Sequence, residues 1–87
     1  MYYVYLIQNT LTFKIYIGFT GNLIKRVDEH NTDKVFSTRN KDRWKLIYYE
    51  VYRNKEDAKN REYRLKYYGR ALAELKKRIS RSLLLAN

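Results

Sequence analysis

Eighty-seven residues with 19 lysines and arginines against nine acids carry a formal charge of +10, and self-repulsion of that size usually accompanies a polyanionic partner. The sequence has no cysteine and a single histidine, which excludes disulfides, zinc-thiolate sites, thiol nucleophiles and polyhistidine metal centres. No run reaches the roughly 18–20 apolar residues that span a bilayer, and no charged-then-apolar leader opens the chain, so a cytoplasmic protein that avoids the membrane is expected.

One small domain over residues 1–87 is expected, with a thin core that leans on aromatics: ten tyrosines, three phenylalanines and one tryptophan. Tyr3, Tyr5 and Ile7 alternate with Val4, Leu6 and Gln8, and Phe13, Ile15 and Ile17 alternate with Lys14, Tyr16 and Gly18. That two-residue period predicts paired strands. A four-residue loop at Asn9–Thr12 would face Gln8 with Phe13 and set Tyr5 directly opposite Tyr16; an odd loop would put the two phenols on opposite faces. Gly18 shares the face of Tyr16, where a missing Cβ leaves room for a ligand, although a glycine here also marks a strand end before Thr20-Gly21-Asn22.

A first helix is predicted from Thr20–Asn22 to about His30, with Leu23, Ile24 and Val27 towards the sheet and Asn22, Arg26 and His30 sharing a polar face. Residues 31–43 read as a polar loop whose Lys34, Arg39, Lys41 and Arg43 can meet phosphates or simply be solvated. Trp44–Tyr52 reads as a third strand, with Trp44, Leu46, Tyr48 and Tyr52 on one face and Ile47, Tyr49 and Val51 on the other. Apolar residues on both faces predict a central position.

A second helix is capped by Asn54, with Asp57 in the capping-box position, and Gly69 ends it. Ala58, Glu62 and Leu65 fall at i, i+4 and i+7, so an acid occupies the apolar stripe. An inward carboxylate needs a cation, a hydrogen-bond network or a metal, and Lys66 at i+4 is the simplest partner. Leu72, Leu75, Ile79 and Leu83 define a third amphipathic helix with a basic exterior. The expected fold class is α+β, a small antiparallel sheet of about three strands flanked by helices.

Tyr3-Val4-Tyr5, then Tyr16-Ile17-Gly18, then Asn22-Leu23 and Arg26, resembles the GIY-YIG endonuclease superfamily, in particular its small stand-alone members and the nuclease domain of the excinuclease C subunit. Glu29-His30-Asn31, Thr38-Arg39, Trp44 to Tyr52, Arg61-Glu62 and Lys66 follow the same pattern, which covers residues 2 to about 78. Tyr3 stands where the first motif has glycine, and the late asparagine that often accompanies the family's site has no clear counterpart. The resemblance implies metal-dependent hydrolysis of a DNA phosphodiester, with RNA as the alternative substrate, in repair or recombination. It implies that Glu62 binds one ion, Mg²⁺ or Mn²⁺, and that Arg26 stabilises the transition state. Of Tyr5 and Tyr16, one would accept or relay the water's proton while the other orients it; a free phenol with pKa near 10 is a poor base, and which tyrosine acts stays open. Gly18, His30, Arg39 and Lys66 become candidates for nucleic-acid contact, His30 also for proton relay. With no second domain to choose a target, sequence specificity would be low unless a protein partner or a branched DNA shape supplies it. The alternative is a non-catalytic nucleic-acid-binding module of the same fold.

Overall fold

The computed structural model describes residues 1–32 and 43–84. Their order is β1 (Tyr2–Asn9), β2 (Ile15–Thr20), α1 (Leu23–Asn31), β3 (Trp44–Tyr52), α2 (Lys55–Tyr67) and α3 (Gly69–Arg78). The strands form one antiparallel sheet in the order β2-β1-β3, an α+β architecture. No helix among the described residues is long and apolar enough to cross a membrane.

β1 is the central strand, correcting the expectation for β3. Its run Val4, Tyr5, Leu6, Ile7 is buried without interruption, as a strand covered on both faces must be, whereas on β3 Tyr49 and Val51 are half exposed. One face of the sheet sets Val4, Leu6 and Ile17 against Ala58 and Leu65 of α2 and Leu75 and Ile79 from α3 and its cap. The opposite face sets Tyr5, Ile7 and Trp44 against Leu23 and Val27 of α1, with Tyr16 and Leu46 beside them. Ile24 was expected to join this layer and instead is 85% exposed. A helix turns about 100° per residue, so α1 presents Leu23 and Val27, four apart, and rotates Ile24 outward.

The hairpin keeps a four-residue connection but starts it one residue later, at Thr10–Phe13. The Asn9 side-chain oxygen accepts from the amides of Leu11 (2.8 Å) and Thr12 (2.9 Å), and the Asn9 amide donates to the Lys14 carbonyl at 2.9 Å. This asparagine-nucleated turn extends β1 through Asn9 and puts Phe13 at φ 63°, in the left-handed region. Gln8 therefore pairs with Ile15 rather than Phe13, and Tyr5 with Gly18 rather than Tyr16. The displacement is two residues in register, so the two tyrosines still share a face, now as diagonal neighbours.

β3 also departs from simple alternation. Leu6 pairs with Tyr48 and Ile7 with Leu46, which leaves Ile47 as an extra residue in a bulge. Trp44 and Leu46 consequently face α1, while Tyr48 and Tyr52 face α2, not one common side as expected. α2 begins with Asn54 accepting from the amides of Glu56 and Asp57 at 2.8 and 3.2 Å. It ends at Tyr67; Tyr68, in extended conformation, separates it from α3, and Gly69 opens α3 instead of closing α2. Gln8 ties the far end of the described chain to the hairpin: its amide nitrogen donates to the Phe13 carbonyl (3.0 Å) and its oxygen accepts from the Leu84 amide (2.7 Å).

Candidate active site

Tyr5 is fully buried on the α1 side of the sheet, and the absence of a side chain on Gly18 is what admits its ring. A Cβ on Gly18 would lie 2.2 Å from both Cζ and the hydroxyl oxygen of Tyr5. The room that Gly18 leaves is thus filled by Tyr5 itself. The Tyr5 hydroxyl is 2.7 Å from His30 Nε2, and His30 is also buried, between the Tyr5 ring (5.7 Å between centroids) and the Tyr16 ring (4.7 Å).

The protons of this cluster follow from its charges. Burial, and then the positive Arg26, push the His30 pKa down to about 4 against the weaker pull of Glu29, so the ring is neutral at pH 7. Burial likewise raises Tyr5 to about 12; the Arg26 hydrogen bond pulls it back only in part, while Tyr16 and Glu62 add to the rise. The Tyr5 hydroxyl and His30 Nε2 share one hydrogen bond whose donor is set by the His30 tautomer, and the neighbouring Arg26 guanidinium, which can only donate, favours the ionised phenol without overcoming its burial. Arg26 stays charged: its burial opposes this, and the contacts with Tyr5 and Glu29, the latter at 3.3 Å, outweigh it.

Tyr16 is the open member of the pair. It is half-buried on edge strand β2, edge-on to His30 and to Trp44, whose ring centroid is 6.5 Å away. Lys66 of α2 brings its ammonium to 5.9 Å from the Tyr16 ring centroid and 3.1 Å from Glu62 Oε2. The i+4 pair anticipated for Glu62 therefore forms, and Glu62 also lies within electrostatic range of Tyr5. Tyr5, Tyr16, Arg26 and Glu62 come from β1, β2, α1 and α2, and Tyr5 lies within electrostatic range of the other three. Beside them Lys25, Arg26 and Glu29 line a groove of about 430 Å³ that runs to Gly21 and Asn22 at the start of α1.

Of the other candidates, Lys66 belongs to this cluster, Gly18 underlies it, and His30 is too deep to touch a phosphate but is in contact with Tyr5. Arg39 lies outside the described residues, as do Lys34 and Lys41. Asn60 is exposed on α2.

Two supporting groups escaped the sequence reading. Glu50 accepts from Arg61 Nε (3.0 Å) and Nη2 (3.0 Å), from the Tyr48 hydroxyl (2.5 Å) and from the Tyr52 hydroxyl. Burial pushes the Glu50 pKa up, yet those four donors hold it below its ordinary value. The network clamps α2 to β3 one residue from Glu62. An acid inside an aromatic strand was its signal, as an acid on the apolar stripe of a helix was for Glu62. Asn31 accepts from the Trp44 amide at 3.0 Å and donates to the Trp44 carbonyl at 2.9 Å, locking the end of α1 to the start of β3.

The arrangement offers a charged, forked donor at the groove, a carboxylate paired with a lysine, and two phenols of different accessibility. Residues 1–71 match the family model described as the GIY-YIG catalytic domain. The chain is similar to a UPF0213 protein of Clostridium perfringens (strain 13 / Type A), 39% identical over 67 residues that make up 76% of this chain and 71% of that protein. No solved structure matches the chain.

Proposed function

Because this chain belongs to the GIY-YIG family, a nuclease family, we propose that it is a divalent-metal-dependent endonuclease that hydrolyses phosphodiester bonds in DNA, with a role in repair or recombination. The observation that carries the reading is the convergence of Tyr5, Tyr16, Arg26 and Glu62 from four separate elements beside a basic groove.

Glu62 would hold the ion. Among the described residues no three His, Cys, Asp or Glu side chains gather, so a site must draw most of its ligands from water and the phosphate. Mg²⁺ suits this, since it keeps several waters and binds through one or two carboxylates. The carboxylate is already oriented towards a cation, the Lys66 ammonium 3.1 Å away. When bound, the ion supplies positive charge to the leaving 3′-oxygen.

Arg26 retains donors beyond those spent on Tyr5 and Glu29, and its planar fork takes a non-bridging oxygen as charge builds in the transition state. Tyr5, hydrogen-bonded to His30 and beside Arg26, helps to orient that guanidinium. Tyr16, half-buried where Tyr5 is sealed, contacts and orients the attacking water. Lys66 moves from Glu62 to the phosphate backbone as substrate arrives.

Cleavage of labelled duplex, flap and junction DNA with Mg²⁺ or Mn²⁺, against chelator, tests the reading. Wild type should cut only with metal, Glu62→Ala should not cut, and Arg26→Lys should lose about 10²–10³-fold in rate with an unchanged melting curve. Cutting retained in Glu62→Ala would sink it.

A further inference from the structure

The outward face at the end of α2 carries an aromatic patch that the catalytic cluster does not use. Tyr63, Tyr67 and Tyr68 are 53%, 68% and 55% exposed. Their rings are near one another yet not closed face to face: Tyr63 and Tyr67 lie 4.9 Å apart at 49°, and Tyr63 and Tyr68 6.0 Å apart at 69°. The Arg64 guanidinium is 5.9 Å from the Tyr68 centroid. Three large rings grouped in water mark a contact surface rather than a scatter of ordinary surface residues.

The charge around the rings selects the partner. Between Glu62 and Glu74 the sequence contains Arg64, Lys66 and Arg70 and no acid, and all three cations are exposed. π-faces interleaved with cations match a polyanion that also presents flat rings, which is a nucleic-acid strand with unpaired bases. A duplex hides its base faces by stacking them on each other and offers only phosphates and groove edges.

Location relates the patch to catalysis. Tyr63 follows Glu62 directly, and Tyr67, five residues on, lies about 7.5 Å further along the helix axis at ~1.5 Å per residue. Lys66 bridges the two regions, since it touches Glu62 and Tyr16 on one side and neighbours Tyr67 on the other. We propose that Tyr63, Tyr67 and Tyr68, with Arg64 beside them, form a stacking subsite for the unpaired bases of a single-stranded DNA segment adjoining the scissile phosphate. The inference rests on the nuclease reading and narrows its substrate: the strand that is cut continues as single strand over α2.

Binding measured with chelator present, so that nothing is cut, tests the subsite separately from the chemistry. The probes are an oligothymidylate carrying 2-aminopurine, whose fluorescence falls when it stacks, and a hairpin duplex of equal charge. For wild type we expect quenching on the single strand. The double variant Tyr63→Ser/Tyr67→Ser should abolish the quenching and weaken single-strand binding roughly tenfold or more per lost ring. It should leave duplex binding and the slope of affinity against salt unchanged, because no charge is removed. Tyr63→Phe/Tyr67→Phe keeps the π-faces and should bind as wild type does. Both substituted positions are exposed, and thermal melting verifies the fold. Unchanged single-strand affinity in the serine variant, an equal loss on both probes, or a phenylalanine variant as weak as the serine one would overturn the subsite while leaving the nuclease reading intact. Failure of wild type to bind either probe would overturn both.

Discussion

His30 is buried as a neutral ring among Tyr5, Tyr16, Arg26 and Glu29, and this makes stability depend on pH on the acid side of neutrality. Its pKa is about 4 folded against 6.5 in the open chain, so between these values the unfolded state binds more protons. The contribution is complete above pH 6.5 and is lost as the pH falls towards 4, amounting to about 3 kcal/mol over the window. Urea unfolding of wild type should follow that slope, and His30→Gln, which cannot titrate, should flatten it. Glu50, held below its ordinary value, is present in both proteins, so the difference between them reports His30. The two phenols can be separated in the same way. Tyr5→Phe removes the buried hydroxyl bonded to His30 Nε2 and the polar neighbour of Arg26, so it should cost about 1–3 kcal/mol and several degrees of melting temperature. Tyr16→Phe should leave stability within about 0.5 kcal/mol and lower the cleavage rate by at least ~10²-fold. Full activity in Tyr16→Phe would remove that hydroxyl from the chemistry.

At the scale of elements, the site depends on how α2 is fastened. Glu50 on β3 grips Arg61 in two-pronged geometry while Tyr48 and Tyr52 close over the carboxylate, and the next residue along the helix is Glu62. Glu50→Gln leaves Arg61 without its counter-charge in a partly buried position and should destabilise the fold by about 3 kcal/mol. Well below the new melting point, cleavage per folded molecule should be close to wild type, because the variant changes fastening and not chemistry; a lasting loss of rate with an unchanged melting curve would contradict this. Element types were legible because the periods differ: Tyr3 to Gly18 alternates by two, and Ala58, Glu62 and Leu65 recur at helical spacing. Register was not legible. Asn9 reads equally well as the first loop residue or the last strand residue, and only its contacts with Leu11, Thr12 and Lys14 decide. Similarly, Leu23 and Ile24 are equally apolar, and which of them faces the sheet depends on where α1 docks.

For the whole molecule, the charge of +10 and the groove along α1 predict binding that weakens steeply with salt. Contact with about five phosphates would give a slope of log affinity against log salt of about −4.5 on duplex DNA. Titrations over a series of salt concentrations would measure it, and a slope near zero would mean that the charge serves solubility rather than a polyanion. The sequence singled out Tyr5, Tyr16, Arg26 and Glu62 through a resemblance carried by motif spacing, which preserves residue type. It did not carry depth: nothing in the letters distinguishes Tyr5, sealed under α1, from Tyr16 at the edge, or marks His30 as interior. Depth is set by the sheet order, and the uninterrupted apolar run of β1 was the available hint that this strand, not β3, lies in the middle.

The bulge in β3 bears on how such chains change length over evolution. Ile7 and Leu6 pair with Leu46 and Tyr48, so Ile47 has no opposite number, and the residues on either side of it already point to the faces that an uninterrupted strand would give them. Losing that residue would turn the bulge into regular ladder without moving Trp44 from beneath α1 or Glu50 from Arg61. Position 47 is thus a place where a lineage can gain or drop one residue while both halves of the strand keep their work, and an alignment gap there would signify neither a different fold nor a different site.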